Sequence, residues 1–515
     1  MAKQERIAGM ANRQRLVEKL GPWLLLLVVS LPALALRLGT YPPMWFDEGY
    51  RTNAARTFAE RGVYGTYTTA GYQPFDTGVS SGPMDIVPIA LSFRLFGTGV
   101  VQARLVIVLF TLLALFGLYR VSVYIYGQPA ALFITLVLLA FPAIHEINFL
   151  LVGRQVLGEA PALAMLVLGL WLWFRSWESR RWVLAVLAGL AFGFGLLSKT
   201  QVGIAFLPTL VLAAVGRGLT DRSRLARSLI PIAVAVGVVA GWMLLGRLAT
   251  TEQIHQENDR MLADAIRTYL LTGLFGRHLS TSALVILAIM GVGVLACVCR
   301  LRGQFLRAGC LDDRDWAEAT LALFVLGSAL WYGLLSVGWP RYAYTGLIAG
   351  QLLCGRLGWD VFERVRQWIG RGWPWLARHA YTMVMAGLAL VAVFVNVWPI
   401  LQFNQDYRAQ GMADTIGVTV PRDAVVESWT WELDALSPHW EYHHPHQDYL
   451  TLAVQQMFHE GKPFDLDYDL LQADPDYLVA GPFSDWTNIY EPDIVKANFT
   501  KLAEVGVYRL YRRVR

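Results

Sequence analysis

The run Trp23-Leu24-Leu25-Leu26-Leu27-Val28-Val29-Ser30-Leu31-Pro32-Ala33-Leu34-Ala35-Leu36, followed closely by Trp45-Phe46-Asp47-Glu48, decides how this chain is read. Lys3, Arg6, Arg13, Arg15 and Lys19 precede the apolar run, so it reads as a first membrane span whose start is held inside by positive charge. The chain then emerges on the far side just before Asp47 and Glu48. Two adjacent carboxylates at a bilayer surface are costly unless water, a cation or a substrate solvates them, which makes the pair a candidate site. An acidic first turn of an interfacial helix is the simpler reading of the same residues. Cleavage after Ala33-Leu34-Ala35, as in a signal peptide, would still leave Asp47 outside.

Working outward, 55% of the 515 residues are hydrophobic, 16% are charged, and the mean hydropathy is positive. Long apolar runs recur where a soluble enzyme would alternate apolar and polar faces, so the chain is expected to be a polytopic α-helical membrane protein. Further apolar segments lie at residues 100–123, 130–144, 161–174, 183–197, 201–215, 229–245, 282–298, 321–337, 342–353 and 381–400. With the first, this gives about eleven spans, some short for a tilted helix. An odd count puts the N-terminus in the cytoplasm and the tail outside, in a plasma (inner) membrane. The predicted inner loops carry Arg175, Arg180 and Arg181, then Arg217, Arg222, Arg224 and Arg227, then Arg300, Arg302, Arg307 and Arg314, then Arg356, Arg364, Arg366, Arg371 and Arg378. That is the positive-inside pattern at every turn.

Charge also divides the chain. From residue 404 onward there are 18 acidic and 9 basic residues, against a formal net charge of +5 for the whole chain. We therefore expect a transmembrane domain over residues 1–403 and a soluble extracytoplasmic α/β domain over 404–515. In the latter, β-like runs at 424–429, 477–480 and 505–510 alternate with a helical piece at 449–458. Cys297, Cys299, Cys310 and Cys354 all lie before the tail, which therefore cannot be held by disulfides; core packing is their expected role. In the first outer loop, residues 40–99, two amphipathic helices are expected at 47–61 and 85–96. The first would lie in the interface with Tyr50, Ala54 and Phe58 on one face. The Gly/Thr/Ser-rich stretch 66–82 between the helices reads as a mobile loop over a site.

On this topology a set of ionisable residues falls at one membrane face: Asp47 and Glu48, Arg154 and Glu159, Lys199, and Arg341 with Tyr342. Acids beside bases at a bilayer surface suit an amphiphile with an anionic headgroup. Lys199 and Arg341 could hold a phosphate, Arg as a planar fork and Lys as a point charge. Snorkelling at helix ends would also account for Lys199, Arg341 and Arg154, and a helix start for Glu159. Asp47 is the expected general base for a hydroxyl nucleophile, with Glu48 orienting it or binding acceptor or cation. A divalent cation is compatible with two carboxylates, without a defined metal site. His443, His444 and His446 form no fixed ligand set, since adjacent residues in a strand point apart. His255 and His278 are weaker candidates still.

The order of Trp45-Phe46-Asp47-Glu48, Gly153-Arg154 with Glu159, the small-residue run from Gly189 through Gly193 and Gly195 to Lys199-Thr200, and Arg341-Tyr342 resembles the GT-C glycosyltransferases. The likeness is to those similar to aminoarabinose transferase and protein O-mannosyltransferase. It covers about residues 20–400. The resemblance implies an enzyme that takes a sugar from a polyprenyl phosphate carrier on the extracytoplasmic face, with inversion. It implies Asp47 as the acid-base residue, Glu48 as its partner, and Lys199 and Arg341 near the lipid phosphate. Glu159 stands where Asp is commoner, and Ser81-Gly82-Pro83-Met84 replaces a more basic or Pro-Pro segment. The acceptor, whether protein, lipid or another glycan, is not specified, and no nucleic-acid partner is expected. A transporter or flippase of an anionic lipid-linked substrate is the alternative, because charges in a membrane also mark substrate pathways. It lacks the repeated halves that transporters often show. A non-catalytic sensor would leave the membrane charges unexplained.

Overall fold

The computed structural model describes residues 20–75, 82–220, 222–275, 280–403, 408–437, 441–446, 448–457 and 466–515. The apolar segments form helices α1 (Leu20–Ala35), α4 (Val100–Tyr126), α5 (Gln128–Ala140), α7 (Glu159–Ser179), α8 (Trp182–Ser198), α9 (Gly203–Thr220), α10 (Arg222–Ala249), α12 (Thr281–Ala308), α13 (Asp313–Leu334), α14 (Tyr344–Gly372) and α15 (Pro374–Gln402). Among the described residues, seven of these are long and apolar enough to cross a membrane. α1, α5 and α8 are shorter, and the second half of α14 is rich in arginine. Three shorter helices complete this part: α2 (Phe46–Arg61), α3 (Pro83–Phe96) and α6 (Phe149–Val152). A longer one, α11 (Glu252–Phe275), is polar and spans the segment expected outside.

Helix α8 runs between α7 and α10, and its small residues allow this. A Cβ on Gly189 would fall 2.6 Å from Val234 Cβ and 2.7 Å from the Pro231 carbonyl, and one on Gly195 would fall 3.1 Å from the Leu166 side chain. Close-packed cores leave no slack for such additions. The glycines thus bring the C-terminus of α8, with Lys199, against the N-terminus of α7, with Glu159.

After α15 the chain enters a five-stranded sheet of order β4-β3-β5-β7-β6, formed by β3 (Val426–Ser428), β4 (Tyr442–His443), β5 (Tyr477–Ala480), β6 (Phe499–Val505) and β7 (Tyr508–Arg513). β4, β3 and β5 are parallel, whereas β7 is antiparallel to both β5 and β6. Helices α16 (Arg408–Thr419), α17 (Glu432–Leu436), α18 (Asp448–Met457), α19 (Pro482–Thr487) and α20 (Pro492–Asn498) connect and cover the strands. The run 505–510, expected as one strand, is split by a turn in which Gly506 adopts a φ of 61° that favours glycine.

Two expectations for the first loop are corrected. α2 does not lie on an interface: Tyr50, Ala54, Arg51, Thr52, Asn53 and Arg56 are all buried, so the helix is covered on both faces. Phe46 stacks on Phe483 at 3.8 Å between ring centroids, and Tyr50 meets Trp431 at 4.8 Å, which joins α2 to the core of the C-terminal sheet domain. The stretch expected to be a mobile loop begins as a hairpin, β1 (Gly65–Thr68) and β2 (Gly71–Pro74), whose Thr69 N–H donates to the Tyr442 carbonyl at 3.1 Å. Residues 76–81, including Ser81, lie outside the described residues.

Candidate active site

Asp47 occupies the first turn of α2, where the helix dipole favours a carboxylate. It forms an ion pair with Arg341, which sits in a 3-10 turn, Pro340–Ala343, between α13 and α14. The two side chains are 19% and 21% exposed, enough for a ligand to reach them. Three rings frame the guanidinium, with centroids at 5.0 Å for Trp45, 5.5 Å for Trp339 and 5.8 Å for Tyr342. Tyr342 also faces the Lys199 ammonium, 5.3 Å from its ring. Lys199 pairs with Glu159 Oε1 at 2.8 Å. Asp47, Arg341, Tyr342, Lys199 and Glu159 thus form one continuous cluster from four separate stretches of chain, with two cations and two carboxylates around a tyrosine. Glu159 is nearly fully buried, and its Oε2 has no hydrogen-bond partner among the described residues.

Glu48 and Arg154 do not join this cluster. Neighbouring residues on a helix point about 100° apart, and Glu48 turns into the bundle while Asp47 faces Arg341. There Arg104 clamps it through Nε to Oε2 at 3.0 Å and Nη2 to Oε1 at 2.8 Å, and the Val156 N–H donates to Oε2 at 2.8 Å. Its oxygens are taken by Arg104 and Val156 and it has no exposure, so the structure sets Glu48 apart from Asp47 instead of beside it in the cluster. Arg154 is buried and donates to the carbonyls of Ala33 and Leu36 at the C-terminal end of α1, so it caps a helix instead of facing substrate.

The two acids of the pair therefore do not converge on a cation: each carboxylate faces its own arginine. Among the described residues, no group of three or more His, Cys, Asp or Glu is arranged to hold a metal ion. The tail histidines separate, with His443 on Glu427, His444 on Asp434 and His446 near Glu257 and Asp448. His255 faces Asp259, and His278 lies outside the described residues.

The chain shares its fold with proteins of known structure. It superposes on ArnT from Cupriavidus metallidurans, both in the apo state (16% identity, 98% of each chain, TM-score 0.61) and bound to undecaprenyl phosphate (16% identity, 95% of this chain and 97% of that one, TM-score 0.66). The chain has the GT-C fold. The archaeal oligosaccharyltransferase AglB from Archaeoglobus fulgidus, in complex with an inhibitory peptide and a dolichol-phosphate, shares this GT-C architecture at 12% identity over 97% of this chain and 75% of that one, with a TM-score of 0.55. Residues 80–246 match the family model described as dolichyl-phosphate-mannose-protein mannosyltransferase. No curated protein sequence matches the chain. The family match takes in Glu159, Lys199 and the small-residue run, while Asp47 and Arg341 enter the cluster from segments on either side of it.

Sequence reading missed Arg104, the partner of Glu48, and the buried Arg51–Asp85 pair that ties α2 to α3. Arg104 carried a usable signal: an arginine inside the apolar segment 100–123 needs a buried partner. Asp434, which accepts from Asn53 of α2 at 2.7 Å, gave none, because 381 positions separate the two residues.

Proposed function

We propose that this protein transfers a sugar from a polyprenyl-phosphate donor to an acceptor hydroxyl at the extracytoplasmic membrane face, with inversion at the anomeric carbon. The observation that carries the reading is the cluster itself. Two carboxylates, two cations and three aromatic rings meet at one end of a multi-pass helical bundle with the GT-C fold. The ArnT structure bound to undecaprenyl phosphate and the AglB complex with dolichol-phosphate support a lipid phosphate as the anionic ligand class. The arginine-rich loops at the opposite ends of the helices support an extracytoplasmic site.

In this reading Arg341 and Lys199 hold the phosphate of the donor. A phosphate on Arg341 competes with Asp47 for the guanidinium, which frees the carboxylate beside the acceptor. The acceptor oxygen attacks the anomeric carbon, its proton passes to Asp47, and the bond from that carbon to the phosphate oxygen breaks. Negative charge then gathers on the departing polyprenyl phosphate, where the two cations stabilise it. One displacement of this kind inverts the centre. Glu159 orients Lys199.

The test is mass spectrometry of lipid-linked sugars in cells with and without the protein, joined to sugar transfer by the purified protein in liposomes. Accumulation of one polyprenyl-phosphate sugar in its absence, and sugar release in its presence, are expected. Movement of the carrier across the bilayer without sugar release would instead favour a transporter.

A further inference from the structure

The C-terminal sheet domain does not simply follow the membrane helices; it grips the helix that carries Asp47. A Cβ on Gly49 would run into the Trp431 carbonyl and the Glu432 nitrogen, so the backbone of the sheet domain lies directly on α2, two residues from Asp47. The indole of Trp431 packs on Tyr50, and Phe46, the residue before Asp47, is enclosed by Phe483, Trp429 and Trp431. One turn further on, Asp434 accepts from Asn53 at 2.7 Å and from Arg56, and the imidazole of His444 fixes its other oxygen at 2.7 Å while stacking on Trp431 at 3.9 Å. These groups are buried, and such a network has one low-energy arrangement.

We propose that the C-terminal domain is a positioning part of the site: through Trp431 and Asp434 it sets the height and rotation of α2, and so holds Asp47 on Arg341. Trp431 and Asp434 are positioning residues, since they touch α2 and not the cluster. The inference rests on the proposed function for what Asp47 and Arg341 do. It adds a consequence that a purely structural domain would not have. Loosening α2 removes the carboxylate that competes for Arg341, so a lipid phosphate binds more tightly even as the protein is damaged.

The experiment measures binding of undecaprenyl phosphate itself to the full-length protein in nanodiscs. Asp47→Asn, Trp431→Ala and Gly49→Ala are each expected to bind it about tenfold more tightly than wild type, a gain of the size found when contacting groups are uncoupled. The double variant Trp431→Ala/Asp47→Asn should gain no more than either single change, and Trp431→Phe should return to the wild-type value. Gly49→Ala drives a methyl group into the Trp431 backbone and so pushes α2 off the sheet domain. Asn53→Ala, which removes the hydrogen bond to Asp434, keeps the test informative if neither of the other two folds: tighter binding is expected there as well, and unchanged binding counts against the positioning role. Unchanged or weaker binding in both Gly49→Ala and Trp431→Ala, with tighter binding in Asp47→Asn, overturns the positioning role and leaves the proposed function standing. Unchanged binding in Arg341→Ala overturns the site reading on which both rest.

Discussion

Asp47 and Arg341 are 294 positions apart in the chain and in direct contact in the fold. Their pairing joins the first turn of α2 to the turn before α14, and Tyr342 extends it to the Lys199–Glu159 pair. In the proposed reading, a phosphate entering here meets two cations already held in place by carboxylates and must compete with Asp47 for Arg341.

Carrier binding should depend on both cations. Arg341→Ala is expected to weaken undecaprenyl phosphate binding by roughly 10- to 100-fold, the range for losing a charged hydrogen bond. Lys199→Ala alone would strand Glu159 without its partner, so Lys199→Ala/Glu159→Gln is the cleaner variant and should show a loss of similar size. Isothermal titration or native mass spectrometry measures it.

Glu48 should behave as a structural residue. Glu48→Ala leaves Arg104 buried and unpaired, which costs about 3–5 kcal/mol. The melting temperature should fall sharply, and Glu48→Leu/Arg104→Met should recover most of it. Recovered stability together with recovered transfer would separate Glu48 from the chemistry.

The two carboxylates of Trp45-Phe46-Asp47-Glu48 show how much was legible beforehand. Their place after the first apolar segment, the helix over 47–61 and the nearness of Lys199, Arg341 and Asp47 could be argued from hydropathy, charge and membrane depth. Which of the pair faces the site could not, because that depends on α2's rotation, and the rotation is set by Arg104 and by Trp431 and Asp434 of a domain some 380 residues away. The same long-range packing hid the burial of α2, whose mixed polar and apolar sequence reads as an interfacial helix until the second covering surface is known. Arg154 lay at the expected membrane depth but was drawn to the carbonyls of α1, a partner that depth alone cannot identify.

The C-terminal domain should lose stability as the pH rises through neutrality. Burial drives the Glu432 carboxyl up to about 7, with its backbone hydrogen bond and Tyr508 opposing the rise only in part. A raised carboxyl contributes stability that is fully present below its unfolded value near 4.5 and is lost as pH climbs through about 7. His443 acts in the same direction: burial would lower its imidazole, but the hydrogen bond to Glu427 and that residue's charge carry it above its ordinary value. Its contribution is also lost as pH rises through the folded value. Glu432→Gln should flatten the profile, measured as melting temperature from about pH 5 to about pH 9. A profile as steep as that of wild type would assign the loss elsewhere.

The small-residue run of α8 should resist enlargement. A side chain at Gly193 would begin 2.5 Å from Val238 Cβ and 2.8 Å from Val238 Cγ1, and overpacking of this kind costs about 1–3 kcal/mol. Gly193→Leu should lower the melting temperature and, by shifting the end of α8, weaken carrier binding. Gly237→Ala, where nothing lies within 4 Å, is the matched control and should change neither.

The central claim is that Asp47 takes the proton of the acceptor. Once the polyprenyl-phosphate sugar is identified, transfer by the purified wild-type protein and by Asp47→Asn should be compared at saturating donor. The account predicts that Asp47→Asn folds and binds undecaprenyl phosphate at least as well as wild type, while its turnover falls by about 100-fold or more. Turnover equal to that of wild type would contradict it.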